Sequence, residues 1–166
     1  MSIGIEKYMI RRYKTEDLPF IVSIGRRAWI NIYDMYRNTY GSELFSLLIP
    51  NRDTAKEEQI NHHALHHPDW IYVCEEKEKI VGFITFSIDQ ERKIGQMGNN
   101  AVDPECVLKG IGQQMYSAVF KRFKEEGLLY AQVRTGLDDA HLRARRAYER
   151  AGFNIKIEDV TYFKKL

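Results

Sequence analysis

VDPECVLKGIGQQM, residues 102–115, is the stretch of sequence that decides the fold. A β-type run ends near Pro104, and Gly110 and Gly112 open a predicted helix. Because glycine has no Cβ, these two residues let a ligand approach the backbone closely. The first N–H groups of the helix and the positive end of its dipole then form a site suited to phosphate or pyrophosphate. Lys109 adds a mobile positive charge beside this site.

The residues around the turn exclude two common phosphate-binding loops. Neither Lys-Ser nor Lys-Thr follows Gly112, and no glycine lies five residues before Gly110, so the turn is not a Walker A loop. GIGQQM also lacks the third glycine of the dinucleotide-binding fingerprint. On spacing alone, a phosphate site and a plain glycine-rich turn between strand and helix both remain open.

Composition and charge limit the class of protein. The chain has 166 residues, 44% hydrophobic and 29% charged, which suits one domain over residues 1–166. A net charge of +2 is too small to favour nucleic-acid or membrane binding by bulk electrostatics. Cys74 and Cys106 form no CxxC pair, the N-terminus lacks a signal-peptide pattern, and no apolar run could cross a bilayer. We therefore expect a cytoplasmic protein, monomeric or homodimeric, with no nucleic-acid or membrane partner.

Hydrophobic periodicity predicts a mixed α/β domain. β-type runs cover residues 8–13, 70–74, 80–88, 94–102, 128–135, 153–158 and 159–166, and helical runs cover 15–29, 42–48, 54–66, 110–127 and 138–152. The order is a strand, two or three helices, a three-strand meander, and then helix, strand, helix and two final strands. This order indicates one sheet of about seven strands with helices on both faces.

Two motifs at the expected separation resemble the GNAT N-acyltransferase superfamily. VDP at 102–104 followed by KGIG at 109–112 resembles its acyl-CoA-binding signature. HLRARRAYERAGF at 141–153 resembles its later pattern of a polar residue, an alanine, a tyrosine and a closing Gly-Phe. The order of elements also matches the family fold across essentially the whole chain. The resemblance implies a central mixed sheet whose fourth and fifth strands splay apart.

The resemblance also implies acetyl-CoA as the co-substrate. Backbone N–H groups around residues 108–113 would hold its pyrophosphate, and its pantetheine arm would lie between strands 94–102 and 128–135. Gly98 fits a bulge that begins the separation of these strands, since an interior glycine often marks one. The implied cofactor-binding residues are Asn100, Ala101, Val102, Leu108, Lys109, Gly110, Ile111, Gly112, Gln113, His141, Arg145 and Tyr148.

Two positions depart from the family pattern. The usual Arg or Gln three residues before the first glycine of the turn is Val107 here, and Lys109 is the residue that could compensate for it. The usual Asn at the start of the last helix is His141. For the nucleotide end of CoA, we expect contacts from Lys109 first and Arg145 second.

The resemblance assigns Tyr148 as the general acid that protonates the departing thiolate. A phenol of pKa ~10 can donate to a thiolate of pKa ~8.5 when the two are aligned. The alternative is a core tyrosine on an amphipathic helix. The two splayed strands carry no carboxylate, so Glu75 on a neighbouring strand is the candidate base. A water chain, or an amine that arrives neutral, is the alternative to such a base.

An aromatic segment and a histidine tract remain. Trp29, Tyr33 and Tyr36 follow helical spacing, and the family uses this segment as one wall of the acceptor site. Such a wall favours an amine on an apolar or planar body, whereas the alternative is that these side chains are core. In NHHALHHP, residues 61–68, the histidines form i, i+4 pairs without an HExxH motif. We expect solvated helix-end histidines and no metal.

The sequence therefore predicts an N-acetyltransferase that moves an acetyl group from acetyl-CoA to a primary amine of a small molecule or peptide by direct attack. The missing strand carboxylate and Val107 leave open a non-catalytic domain that binds and senses acyl-CoA. A nucleotide-binding regulatory domain that uses the same glycine turn is the further alternative. Fold alone does not choose the acceptor.

Overall fold

One open sheet of five strands organises the part of the chain that the computed structural model describes, residues 8–166. In the order β1-β2-β3-β4-β5, the strands are β1 (Met9–Arg12), β2 (Ile71–Glu76), β3 (Lys79–Asp89), β4 (Ile94–Val102) and β5 (Tyr130–Val133). β1 to β4 pair antiparallel, whereas β5 pairs parallel to β4. A parallel neighbour needs a crossover connection, and a helix supplies it here.

The helices within residues 8–166 are α1 (Leu18–Leu48), α2 (Arg52–His66), α3 (Ile111–Glu125) and α4 (Leu142–Arg150). Within α1, Gly41 has a non-helical backbone with φ 74° and ψ 163°, so the predicted separate helix over residues 42–48 is confirmed. The first helical run was predicted too short, because it continues past residue 29 through aromatic residues that keep the helical spacing as far as Gly41. Of these helices, none is both long and apolar enough to span a membrane.

Each face of the sheet carries its own core. Neighbouring residues on a strand point to opposite faces, so Phe83 packs with α1 and α2 whereas Ile84 packs with α3 and α4. The α1 and α2 cluster comprises Ile21, Ile24, Ile60, Ala64, Ile71, Val73 and Phe83. Burying each large apolar side chain contributes roughly 1.5–3 kcal/mol before the entropy cost of ordering it. The predicted mixed α/β class, with helices on both faces of one sheet, is confirmed.

The C-terminal segment, residues 153–166, forms no strand, so the expected sheet of about seven strands was wrong. Alternating apolar residues predicted two strands there, yet Ile157 is 96% exposed. The segment instead contacts α1, where Phe163 packs edge-on against Tyr40 with ring centroids 5.7 Å apart. Although its pattern is strand-like, the segment lies beside α1 at this contact and has no strand neighbour in the five-stranded sheet.

We expect Gly95→Ala to lower the free energy of unfolding by about 1–3 kcal/mol, as overpacking of a core does. A Cβ at Gly95 would lie 2.5 Å from ring carbons of Phe123, which is buried and packs edge-on against Phe86. Gly112→Ala is the matched control, because a Cβ there meets no atom of residues 8–166 within 4 Å. Urea denaturation measures both variants, and a Gly95→Ala protein as stable as the control would contradict the packing described.

Candidate active site between β4 and β5

A cleft opens where β4 and β5 stop pairing. Their last paired residues are Met97 and Val133. On the other side of β4 the register skips, so that Gly98 and Asn99 together face Thr85 of β3. This is the predicted bulge, and it is confirmed together with the predicted separation of the two strands. Gly98 is required because a Cβ there would lie 2.5 Å from the Thr85 hydroxyl oxygen.

The cleft has a volume of about 980 Å³ and extends from the bulge to the start of α3 and along α4. It brings together most of the residues that the sequence nominated. Those lining it are Trp29, Asn100, Ala101, Val102, Leu108, Lys109, Gly110, Ile111, Gly112, Gln113, His141 and Tyr148. Tyr33, Tyr36, Glu75 and Arg145 do not line it, and each of them has a different setting.

The glycine turn has the geometry of an anion site. Gly110 is the N-cap of α3 in the left-handed conformation, with φ 85°, which glycine adopts without strain. The first hydrogen bond within the helix runs from Gln114 N–H to Gly110 O at 3.1 Å. The N–H groups of residues 111–113 therefore have no partner inside the helix and can bind an anion. Val107 is 89% exposed beside them.

An ion pair fixes the start of this turn. Arg27 of α1 binds Asp103 through two hydrogen bonds, Nη1 to Oδ1 at 2.6 Å and Nη2 to Oδ2 at 2.9 Å. Asp103 N–H also donates to Val81 O of β3 at 2.8 Å. The Arg27 hydrogen bonds lower the pKa of Asp103, so the carboxylate stays charged. Sequence reasoning missed this pair, because its members lie 76 positions apart and no local pattern connects them.

A hydrogen-bonded chain of three side chains orients the Tyr148 hydroxyl. Asn100 Nδ2 donates to Tyr148 Oη at 3.1 Å, and Asn100 Oδ1 accepts from Tyr116 Oη at 2.9 Å. The Tyr148 hydroxyl accepts from Asn100 and also contacts the Tyr116 hydroxyl, and as a phenol it keeps one hydrogen that it can donate. Burial raises the pKa of Tyr148, so the hydroxyl is protonated near neutral pH. Sequence reasoning missed Tyr116, because it lies 16 positions from Asn100 and no local pattern connects the two.

The start of α4 is held by a second group of polar contacts. Asp138 accepts from the backbone N–H of His141 at 3.1 Å, and its carboxylate lies 2.8 Å from His141 Nδ1. Burial opposes the charge of Asp138, but the His141 hydrogen bonds lower its pKa overall. Arg145 donates to the carbonyl oxygens of Gly136 and Asp138 at 2.8 and 2.6 Å. Arg145 therefore organises this loop, while Arg143 lines the cleft.

The aromatic residues of α1 have three different settings. Trp29 lines the cleft. Tyr33 is buried between α1 and α2, and its hydroxyl has no hydrogen-bond partner among residues 8–166. Tyr36 stacks on Tyr40 with centroids 5.7 Å apart, and its ring lies 6.3 Å from that of His141. Of the predicted aromatic wall, Trp29 lines the cleft, whereas Tyr36 lies behind His141, which lines the cleft.

A buried lysine behind Trp29 was also missed. Lys56 of α2 is 6% exposed, and its Nζ lies 4.1 Å from the centre of the Trp29 ring. Nζ donates to Gln59 Oε1 at 2.7 Å and to Asn99 Oδ1 at 2.9 Å. Burial lowers the pKa of Lys56 to about 8. A signal did exist, because Lys56 precedes Ile60 by four residues on the buried face of α2.

Glu75 and His63 lie in settings that the sequence did not indicate, whereas the other histidines of the tract, His62, His66 and His67, are exposed as expected. Glu75 accepts from Arg11 at 2.6 Å near β1, so β2 does not bring it to the cleft. His63 lines the cleft, its Nε2 lies 3.3 Å from Trp70 O, and burial lowers its pKa, so it is not a solvated helix-end residue. Among residues 8–166, no three His, Cys, Asp or Glu side chains are grouped as metal ligands.

Comparisons with known proteins agree with this architecture. Mycothiol acetyltransferase of Segniliparus rotundus is 26% identical over 94 residues, which are 54% of this chain and 35% of that protein. The chain thus spans about a third of the length of the curated relative it matches. Two solved structures share the fold, with identities too low to indicate more than that. PaiA N-acetyltransferase from Thermoplasma acidophilum, in complex with coenzyme A, has a TM-score of 0.68 at 21% identity over 92% of each chain.

The second structure is AAC(6')-Iy in complex with the bisubstrate analogue CoA-S-monomethyl-acetylneamine. It has a TM-score of 0.65 at 15% identity and covers 96% of this chain and 99% of its own. The profile of the Acetyltransferase (GNAT) family matches residues 29–153, from α1 to the Phe that follows α4. That match contains the glycine turn, the bulge and Tyr148. The chain therefore belongs to the GNAT family of acetyltransferases.

Proposed function

We propose that this protein transfers an acetyl group from acetyl-CoA to a primary amine by direct attack. One observation carries the proposal: a single cleft holds the unpaired N–H groups of α3 at one end and the oriented Tyr148 hydroxyl beside the bulge. The first group suits a pyrophosphate, and the second suits a leaving thiolate. CoA carries both of these groups, at the two ends of one flexible arm.

The residues of the cleft fit this co-substrate. N–H groups of residues 111–113 would bind the pyrophosphate, and Lys109 and Arg143, which also line the cleft, would neutralise phosphate charge. Beyond Met97, β4 no longer pairs with β5, so its backbone groups can pair with the amides of the pantetheine arm as an added strand would. When bound, acetyl-CoA supplies an activated thioester.

Proton transfer in the cleft depends on hydroxyl donors and on the acceptor itself. Tyr148 is the donor to the departing sulfur, since Asn100 fixes its oxygen and the phenol has one hydrogen to donate. Among the described residues that line the cleft, the one carboxylate is Asp103, and Arg27 occupies it. We therefore propose that the amine reacts after arriving in its neutral form, and that Glu75 has no part in the reaction.

Gly112→Val tests the anion site. A branched side chain would fill the space beside the free N–H groups, so we expect CoA to bind more weakly by about 1–3 kcal/mol, comparable to losing hydrogen bonds to a charged group. Ser117→Val is the control, because Ser117 is exposed on the same helix and does not line the cleft. Calorimetric titration of both folded variants with CoA makes the comparison. Unchanged affinity in Gly112→Val would show that the pyrophosphate lies elsewhere.

Tyr148→Phe tests the chemistry. Loss of a general acid typically slows a reaction ~100- to 10,000-fold, and we expect that range for single-turnover acetyl transfer, with acetyl-CoA affinity retained. Tyr116→Phe, which removes the anchor of Asn100 but leaves the Tyr148 hydroxyl in place, should slow transfer less. A domain that only senses acyl-CoA would bind acetyl-CoA and transfer nothing to a panel of amines. Equal transfer rates in wild type and Tyr148→Phe would return Tyr148 to a packing role.

A further inference from the structure

Lys56 is the one buried cation among residues 8–166. No carboxylate in the described chain lies within ion-pair distance of its Nζ, whose partners are the amide oxygens of Gln59 and Asn99 and the ring of Trp29. Burying an ammonium group without a counter-ion costs stability, and a hydrophobic residue of similar size would avoid that cost. We therefore expect the Lys56 ammonium group to have a function other than packing α2 against the sheet.

The effect of Lys56 on Asn99 follows from hydrogen-bond chemistry. An ammonium group has three donors and no acceptor, so it fixes the Asn99 amide with Oδ1 toward Lys56. The Nδ2 group is then turned away from Lys56, and within the described chain it has no protein partner. Asn99 lines both the cleft and a smaller cavity of about 530 Å³ between α1 and α2. Two N–H donors are thus presented to open space beside the bulge.

The position of Asn99 on the bulge gives this donor a place in the reaction. Neighbouring residues on β4 point to opposite sides of the sheet, so Asn100 reaches Tyr148 while Asn99 reaches Lys56. Thr85 Oγ1 donates to Asn99 O at 3.3 Å and steadies the backbone between them. A thioester at the point where β4 and β5 separate would have the Tyr148 hydroxyl on one side and the Asn99 amide on the other.

We propose that Asn99 Nδ2 donates a hydrogen bond to the acetyl carbonyl oxygen as negative charge develops there, and that Lys56 is the positioning residue that orients Asn99 for this task. This inference rests on the proposed function. During acetyl transfer, a bond forms between the acceptor nitrogen and the acetyl carbon, and the bond from that carbon to sulfur breaks. Tyr148 gives its proton to the sulfur and is reprotonated from solvent, and the nitrogen releases a proton to water.

The geometry disfavours a rival role in which Lys56 binds an anionic acceptor directly. Two of its hydrogens are donated to amide oxygens, and its remaining face lies over the Trp29 ring. A carboxylate would have to displace one of these contacts to reach Nζ. Asn99, in contrast, needs no rearrangement to present its donors, and pre-positioned donors contribute most to stabilising charge that develops during a reaction.

Asn99→Asp separates catalysis from structure. The variant keeps the size of the side chain and gives Lys56 a charged partner, but it removes both N–H donors. We expect single-turnover transfer to fall about 100- to 1,000-fold, as when one oxyanion donor is lost, with acetyl-CoA affinity and thermal stability retained. Gln59→Glu makes the same change at the other partner of Lys56 and should affect transfer much less. A rate in Asn99→Asp equal to or above that of wild type would overturn the proposal.

The pH profile tests the link to Lys56. Because burial lowers the pKa of Lys56 to about 8, its ammonium form orients Asn99 below that pH and is lost above it. The part of the rate that depends on Asn99 should therefore fall as pH rises through about 8. The other charged or titratable groups of the cavity that Lys56 lines are Arg26, Arg27 and Tyr33 on α1 and Arg52, Asp53 and Glu57 on α2, while β4 contributes the neutral Asn99 amide.

In Lys56→Met and in Asn99→Leu, the fall in rate above about pH 8 (the falling limb of the pH profile) should be absent. Both variants should have a low kcat with little change in the KM for acetyl-CoA. Lys56→Arg stays charged at every accessible pH, so its rate should not fall above pH 8 and should remain above that of Lys56→Met. A falling limb that persists in Asn99→Leu would overturn the proposal. If instead the proposed function is wrong, the wild type itself will transfer acetyl to no amine. That result would refute the proposed function and, with it, this inference.

Discussion

The bulge at Gly98 and Asn99 is the constraint on which the candidate site depends. It places two residues of β4 opposite the single residue Thr85, and pairing between β4 and β5 ends immediately before it. Without the bulge, a parallel pair would continue and would use the backbone groups that a pantetheine arm needs. The bulge also sets which side of the sheet each asparagine faces, and so brings Tyr148 and Lys56 to the same point from opposite faces.

The basic residues around the cleft divide into two groups by what they bind. Arg27 and Arg145 are bonded to protein oxygens, and each holds a segment that borders the cleft. Lys109, Arg143 and Arg150 line the cleft and are largely exposed, so they can approach a ligand phosphate. This division explains how a chain with a net charge of only +2 can present a cationic cleft. Because the net charge of the whole chain is nearly balanced, the positions of these exposed basic residues determine where an anion can bind.

Local sequence chemistry predicted those parts of the site that depend on a few consecutive residues. The glycine turn, the bulge at Gly98 and the helix that carries Tyr148 each follow from short-range rules for glycine, helix ends and periodicity. Lys56 escaped prediction because lysine on a helix ordinarily faces solvent, and its spacing from Ile60 gave no indication of the contact with Asn99, 43 positions away. Such distant pairs are set by how helices dock on the sheet.

The two strands predicted for the C-terminal segment are absent for a related physical reason. Residues 153–166 have a strand-like pattern, but a strand is defined by the neighbour with which it forms hydrogen bonds, and that neighbour cannot be read from the segment itself. Here the tail contacts α1 through side chains. Hydrophobic periodicity predicted the general order of elements correctly but over-counted the strands at the C-terminus, where tertiary contacts decide the structure.

Electrostatics connects the buried lysine to the lack of a free carboxylate among the described residues of the cleft. An acceptor that entered beside Trp29 as an ammonium ion would meet the like charge of Lys56, which lowers the pKa of an amine. A cleft of this kind favours the neutral, nucleophilic form of the acceptor without a protein base to remove its proton. The charge that orients the donor on Asn99 would then also help to deliver the amine in the form that reacts, so that one buried cation serves both halves of the transfer.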